Sequence, residues 1–247
     1  MGLFVTLSCI IGKSGSEVEE SLTRYAEMNG GGLQLGYIGK ENPNLCTINY
    51  NGSNTTICYP YGYIEEDRSS EFISRELNAP VFVIHVHDGD LWMYLFYNNG
   101  ILVDQFNPIP DYWDENLSEE DIDSWKGNAD KIASHIPGLN PAKIAKYLIR
   151  WDLEKNGEKA YEDDLFKTED WQFLDFMNKL DLPWAMDDNG EPIGNTYKLW
   201  TYDKPLPKQP EKERNYEPKV IDVNEPAPAL DVAYEGEFKK KWWKFWG

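Results

Sequence analysis

Residues 81–106 read VFVIHVHDGDLWMYLFYNNGILVDQF, and this stretch decides the fold class. Three runs rich in β-branched and aromatic residues, Val81–His87, Asp90–Tyr97 and Ile101–Phe106, are separated by Asp88-Gly89 and Asn98-Asn99-Gly100. Those are the residues that tight hairpin turns demand, because the central turn positions need positive φ. The middle run is apolar at consecutive positions, which marks a central strand covered on both faces. Three antiparallel strands with further layers on either side are therefore expected.

Upstream, Leu3–Ile11 reads as a buried strand. Ser16 with Glu19 forms a capping box for a helix that carries Val18, Leu22, Tyr25 and Ala26 on one face. Gly30-Gly31-Gly32 ends that helix, as a left-handed C-terminal cap does. Leu33–Ile38 reads as a second strand, and Cys46–Tyr50 and Thr55–Tyr59 as a hairpin around Asn51-Gly52. A second helix is expected from Ile64 to Leu77 with Phe72, Ile73 and Leu77 facing inward, stopped ahead of Pro80. The order predicts an α+β domain over residues 1–108, built as a mixed, mainly antiparallel sheet with two packed helices.

After Asn107-Pro108-Ile109-Pro110 the pattern turns helical, and residues 109–202 are expected to pack on the sheet. One helix starts at Ser118 and Asp121 and carries Ile122 and Trp125. Another aligns Ala129, Ile132, Ala133 and Ile136. A third starts at Asn140-Pro141 and brings Ile144, Leu148 and Trp151 to one side. The fourth, Thr168–Leu180, aligns Phe173, Phe176, Met177 and Leu180. Residues 203–235 are charged and carry Pro205, Pro207, Pro210, Pro218, Pro226 and Pro228, which reads as an acidic, Pro-rich linker. As a flexible coil it spans about 30 Å. Residues 236–247 form a basic-aromatic tail.

The chain of 247 residues carries 43 acidic against 24 basic residues, a net charge of −19. That balance excludes non-specific nucleic-acid binding, which needs clustered Lys and Arg, and leaves a basic protein partner open. Cys9, Cys46 and Cys58 contain no C-x-x-C pair. They give neither a disulfide framework nor a zinc site and read as buried free thiols of a cytoplasmic protein. No run is long and apolar enough to span a membrane.

His85-Val86-His87-Asp88-Gly89-Asp90 is the one place where metal-ligand residue types gather, and alternation puts His85 and His87 on the same face of a strand. Asp88-Gly89 is accounted for as a hairpin turn, and the metallohydrolase pattern His-x-His-x-Asp-His is not met. Asp111, Asp114, Asp163, Asp164, Asp187 and Asp188 read as solvated loop residues of an acidic chain. Neither a phosphate loop nor a nucleophile elbow is found, so no catalytic residue, cofactor or metal is assigned. The candidate partner-binding residues are Lys239, Lys240, Lys241, Trp242, Trp243, Lys244, Phe245 and Trp246. They suit a partner's groove or an anionic membrane surface, or a return onto the acidic body.

Ala79-Pro80-Val81 through Trp92, Phe106-Asn107-Pro108-Ile109-Pro110-Asp111-Tyr112-Trp113, Tyr147-Leu148-Ile149-Arg150-Trp151 and Asp170-Trp171-Gln172-Phe173 resemble segments of uncharacterised bacterial α+β proteins of similar length, over about residues 3–199. The resemblance implies no activity, and at the level of fold it is similar to immunity or defence-accessory proteins. The expectation is an interaction protein without enzymatic activity, an adaptor whose body binds a protein partner while the tail docks elsewhere, peripherally at a membrane in one form. An immunity protein that neutralises a basic toxin is the alternative within binding. A metal-dependent hydrolase centred on His85 and His87 is the alternative from another class.

Overall fold

A computed structural model describes residues 3–36, 45–112, 114, 116–155, 157–187, 190 and 192–201. In chain order the elements are β1 (Val5–Ile10), α1 (Gly15–Met28), β2 (Gly32–Leu35), β3 (Cys46–Tyr50), β4 (Thr55–Cys58), α2 (Glu66–Leu77), β5 (Pro80–His87), β6 (Leu91–Asn98) and β7 (Ile101–Phe106). Then follow a 3-10 turn (Pro110–Tyr112), α3 (Glu119–Ser124), α4 (Ala129–Ala133), two further 3-10 turns (Pro141–Lys143 and Ala145–Tyr147), α5 (Gln172–Lys179) and β8 (Asn195–Trp200). The strands form one open sheet in the order β2-β8-β3-β4-β1-β5-β6-β7. The fold is α+β, and every described pairing is antiparallel, where a mixed, mainly antiparallel sheet was expected.

β8 lies in the stretch expected to be helical. Tyr197 and Leu199 are buried on one face while Lys198 is exposed, and the strand inserts between β2 and β3 through Gly32↔Trp200 and Cys46↔Tyr197. The approach is close at Gly31, where a Cβ would stand 1.9 Å from the Trp200 carbonyl oxygen.

Each face of the sheet has its own apolar layer. Ile10, Ile48, Ile57, Val81, Tyr197 and Leu199 meet α1 and α2 through Val18, Leu22, Ala26 and Ile73. On the opposite face Leu7, Phe82, Ile84, Trp92, Tyr94, Phe96 and Phe106 meet the C-terminal helical segment. Phe176 of α5 is the hub there, with ring centroids 4.9 Å from Trp92, 5.7 Å from Phe82 and 5.8 Å from both Tyr94 and Tyr147. β6 is buried along most of its length on both faces, as its unbroken apolar run required.

The helix signals were legible, with shifts. The capping box of α1 is Ser14 with Glu17, not Ser16 with Glu19: Ser14 N–H donates to Glu17 Oε2 at 2.9 Å and Glu17 N–H to Ser14 Oγ at 3.4 Å. Both pairs have the same spacing, and the earlier start lets Val18 N–H reach Ser14 O at 3.2 Å. At the other end Gly31 N–H donates to Ala26 O and Gly30 N–H to Glu27 O, with Gly30 at φ +74°, a Schellman termination. α2 starts at Glu66, later than expected. Its buried face is Ile73 with Ser69, Ser70 and Ser74, Phe72 and Leu77 are only half-buried, and Ile64 is exposed. Between Asn140 and Trp151 the expected helix is replaced by the two 3-10 turns, which still bury Ile144, Leu148 and Trp151. All three cysteines are buried and free. Burial pushes the Cys9 and Cys58 thiols up to about 12 and raises that of Cys46, so none is a reactive thiolate. Among the described residues no helix is long and apolar enough to cross a membrane.

Candidate functional site

The pairing of β1 with β5 sets Thr6 opposite His85, and α2 lies across both strands. Thr6 Oγ1 stands 3.2 Å from His85 Nδ1, and His85 Nε2 stands 3.2 Å from Asp67 Oδ1 in the first turn of α2. Next to this chain, Ser8 Oγ donates to Tyr59 Oη at 3.0 Å, Ser70 Oγ meets Ser8 Oγ, and Ser69 Oγ lies 2.8 Å from Tyr59 Oη. The serines also donate to the Glu66 carbonyl one turn back, at 3.0 and 2.5 Å, so their hydroxyls are satisfied against the helix backbone. Small side chains are what let α2 approach the sheet here.

This arrangement resembles a hydroxyl–imidazole–carboxylate relay, but the imidazole, in a residue 7 % exposed, sits between β1 and α2 as a tie. Burial raises the carboxyl of the neighbouring Glu66 above the usual range, against the attraction of His85. His87 projects from the same face of the strand, as alternation predicts, and packs on the edge of Phe4 with ring centroids 4.7 Å apart. Burial lowers its basicity, opposed by Asp88 and Asp90. His135 lies elsewhere, its Nδ1 3.0 Å from Asn98 Nδ2. Among the described residues no group of three or more His, Cys, Asp or Glu side chains converges to hold a metal.

The acidic residues read as solvated loops divide into two kinds. Asp164 is 2 % exposed; it accepts from Tyr147 Oη at 2.6 Å and Tyr161 N–H at 2.9 Å, with Lys179 Nζ at 3.3 Å. For Asp164 the loop reading was wrong: it is an internal staple. Two carboxylates passed over in the sequence act likewise. Asp175 accepts from Leu165 N–H at 3.0 Å and Phe166 N–H at 2.7 Å. Asp104 accepts from Tyr94 Oη at 2.7 Å and Asn128 N–H at 3.0 Å, and burial raises its carboxyl. Asp163 is an exposed ion-pair partner of Lys179, and Asp114 accepts from Asn116 N–H at 3.0 Å. Asp188 lies outside the described residues.

Asp111 marks a surface of different character. Arg150 Nη2 meets Asp111 Oδ2 at 2.6 Å, and Trp151 N–H donates to Pro108 O at 3.0 Å. These contacts lay residues 108–112 beside 149–153, where Tyr112, Ile149 and Leu153 are 50 %, 52 % and 54 % exposed. Beyond Tyr112 comes α3, capped by Ser118 and acidic at Glu119, Glu120, Asp121 and Asp123, with no buried residue. No Lys or Arg occurs from residue 111 to 125. The result is an exposed apolar strip of Tyr112, Ile149 and Leu153, with the acidic α3 following it in the chain and making no ion pair among the described residues.

The sequence-derived partner-binding residues Lys239, Lys240, Lys241, Trp242, Trp243, Lys244, Phe245 and Trp246 lie outside the described residues, as does the linker 203–235. Compared with known proteins, the chain matches no protein family, no curated protein and no solved structure.

Proposed function

We propose that this chain is a non-enzymatic interaction protein whose body captures a basic protein partner through the surface formed by Tyr112, Ile149, Leu153 and α3. The carrying observation is that α3 has no fully buried residue, only Ile122 being half-buried, so core packing gives no reason for its acidic sequence. Charge distribution supports the reading. Residues 1–201 hold 34 of the 43 acidic and 15 of the 24 basic residues, so the full net charge of −19 sits on the body. Such a field speeds encounter with a basic partner, and an exposed apolar strip with an Arg beside it supplies the desolvated contact that charge alone does not. In the same proposal the tail, residues 236–247, docks the captured complex to a second partner or to an anionic membrane, in a reducing, cytoplasmic setting. Sedimentation with anionic and neutral vesicles, comparing the whole chain with residues 1–202, separates those two destinations.

The body surface is tested by replacing Glu119, Glu120, Asp121 and Asp123 with their amides. The expected variant keeps its melting temperature and loses affinity for the captured partner. Undiminished affinity sinks the proposal.

A further inference from the structure

Ala142, Lys143, Tyr161, Asp163, Asn178 and Lys179 line a cavity of about 420 Å³, within the size range of small-molecule sites. Its wall is built from the inside outward. Buried Asp164 holds Tyr161 by its backbone N–H and faces Lys179. The far end of Tyr161 is fixed as well, since its hydroxyl donates to Ala142 O at 2.5 Å and accepts from Lys146 N–H at 3.1 Å. Lys146 Nζ and Lys179 Nζ stand 5.0 and 5.1 Å from the ring centroid. Two ammonium groups thus lie over one fixed tyrosine and Lys143 joins Lys179 in lining the cavity, on a body where acidic residues outnumber basic ones 34 to 15. Lys179 is compensated by Asp163 at 2.7 Å and Asp164 at 3.3 Å, whereas Lys143 makes no ion pair among the described residues.

We propose that this cavity binds a small oxyanion, the phosphate or carboxylate group of a small molecule, between Lys143 and Lys179 with the Asn178 amide as a further donor. Lysine serves such groups as a movable point charge. Asp163 is 76 % exposed at its side chain, so an arriving anion displaces it from Lys179 into solvent without burying its charge. The acidity of the rest of the body does not forbid this, because at about 0.15 M salt charges beyond roughly 8 Å are screened.

The test titrates the full-length protein with inorganic phosphate and with succinate at fixed ionic strength, against chloride, following the Asn178 side-chain amide and the Tyr161 and Lys146 backbone amides by NMR. Saturable shifts at these groups with either anion, weakened about tenfold or more by Lys143→Gln and unchanged by Lys126→Gln, support the site. Lys143 and Lys126 are both exposed, so both variants are expected to retain the wild-type spectrum elsewhere. Shifts that chloride reproduces, that fail to saturate, or that both variants weaken equally overturn it.

Discussion

Phe176 illustrates what single residues decide. It touches Phe82, Trp92, Tyr94 and Tyr147, and Phe176→Ala is expected to lower unfolding free energy by about 3–5 kcal/mol in urea denaturation. Its role was legible because Phe173, Phe176 and Met177 recur at helical spacing. Asp164 was not legible, because its main donor is Tyr147, a pairing that only the fold creates. Tyr147→Phe removes that donor from a buried carboxylate and is expected to cost about 1–3 kcal/mol. The side chains around His85 show the same limit: alternation put His85 and His87 on one face, but nothing in spacing announced Asp67 and Glu66 above them. Glu66 supplies a pH test. A carboxyl raised by burial favours the fold below the ordinary carboxylate range and withdraws that contribution as pH rises through its folded pKa. Glu66→Gln lacks this loss, so its melting temperature relative to wild type should rise as pH climbs above the ordinary carboxylate range, about pH 4. A difference that stays flat or falls contradicts the burial reading.

At the scale of elements, β8 is the instructive omission. Its period-2 pattern, Tyr197 and Leu199 inward with Lys198 outward, stands in plain sequence. It does not stand out as a strand because its partners β2 and β3 lie at the other end of the chain and no hairpin turn announces them. The strands from β5 to β7, each joined to the next by a Gly-containing turn, were placed almost to the residue for the opposite reason. In α2 a face of Ser69, Ser70 and Ser74 looks solvent-exposed in sequence, because its partners are set by the fold: Tyr59 meets Ser69, Ser8 meets Ser70, and Ser74 Oγ donates to Ala79 O at 2.8 Å. Ending the chain after residue 202 should leave cooperative unfolding unchanged, whereas ending it after residue 193 removes β8, exposes the Cys46 and Leu33 edges and should abolish it. Circular dichroism melts of both truncations check this. A folded, cooperative 1–193 fragment would mean that β8 is dispensable.

For the molecule as a whole, the sheet separates two apolar layers, while α3 and the strip of Tyr112, Ile149 and Leu153 face solvent. Composition made the negative charge legible from the start. Its exposure beside apolar side chains was not, because it depends on Arg150 and Trp151 reaching back to Asp111 and Pro108. The most direct measurement is quantitative affinity capture with the wild-type body and with a body carrying Tyr112→Ala, Glu119→Gln, Glu120→Gln, Asp121→Asn and Asp123→Asn, followed by titration of the purified captured protein at two salt concentrations. If this surface recognises a basic partner, a basic protein is held by the wild type alone, with an association rate that falls as salt rises. Equal capture by both bodies, or an affinity indifferent to salt, would contradict that recognition.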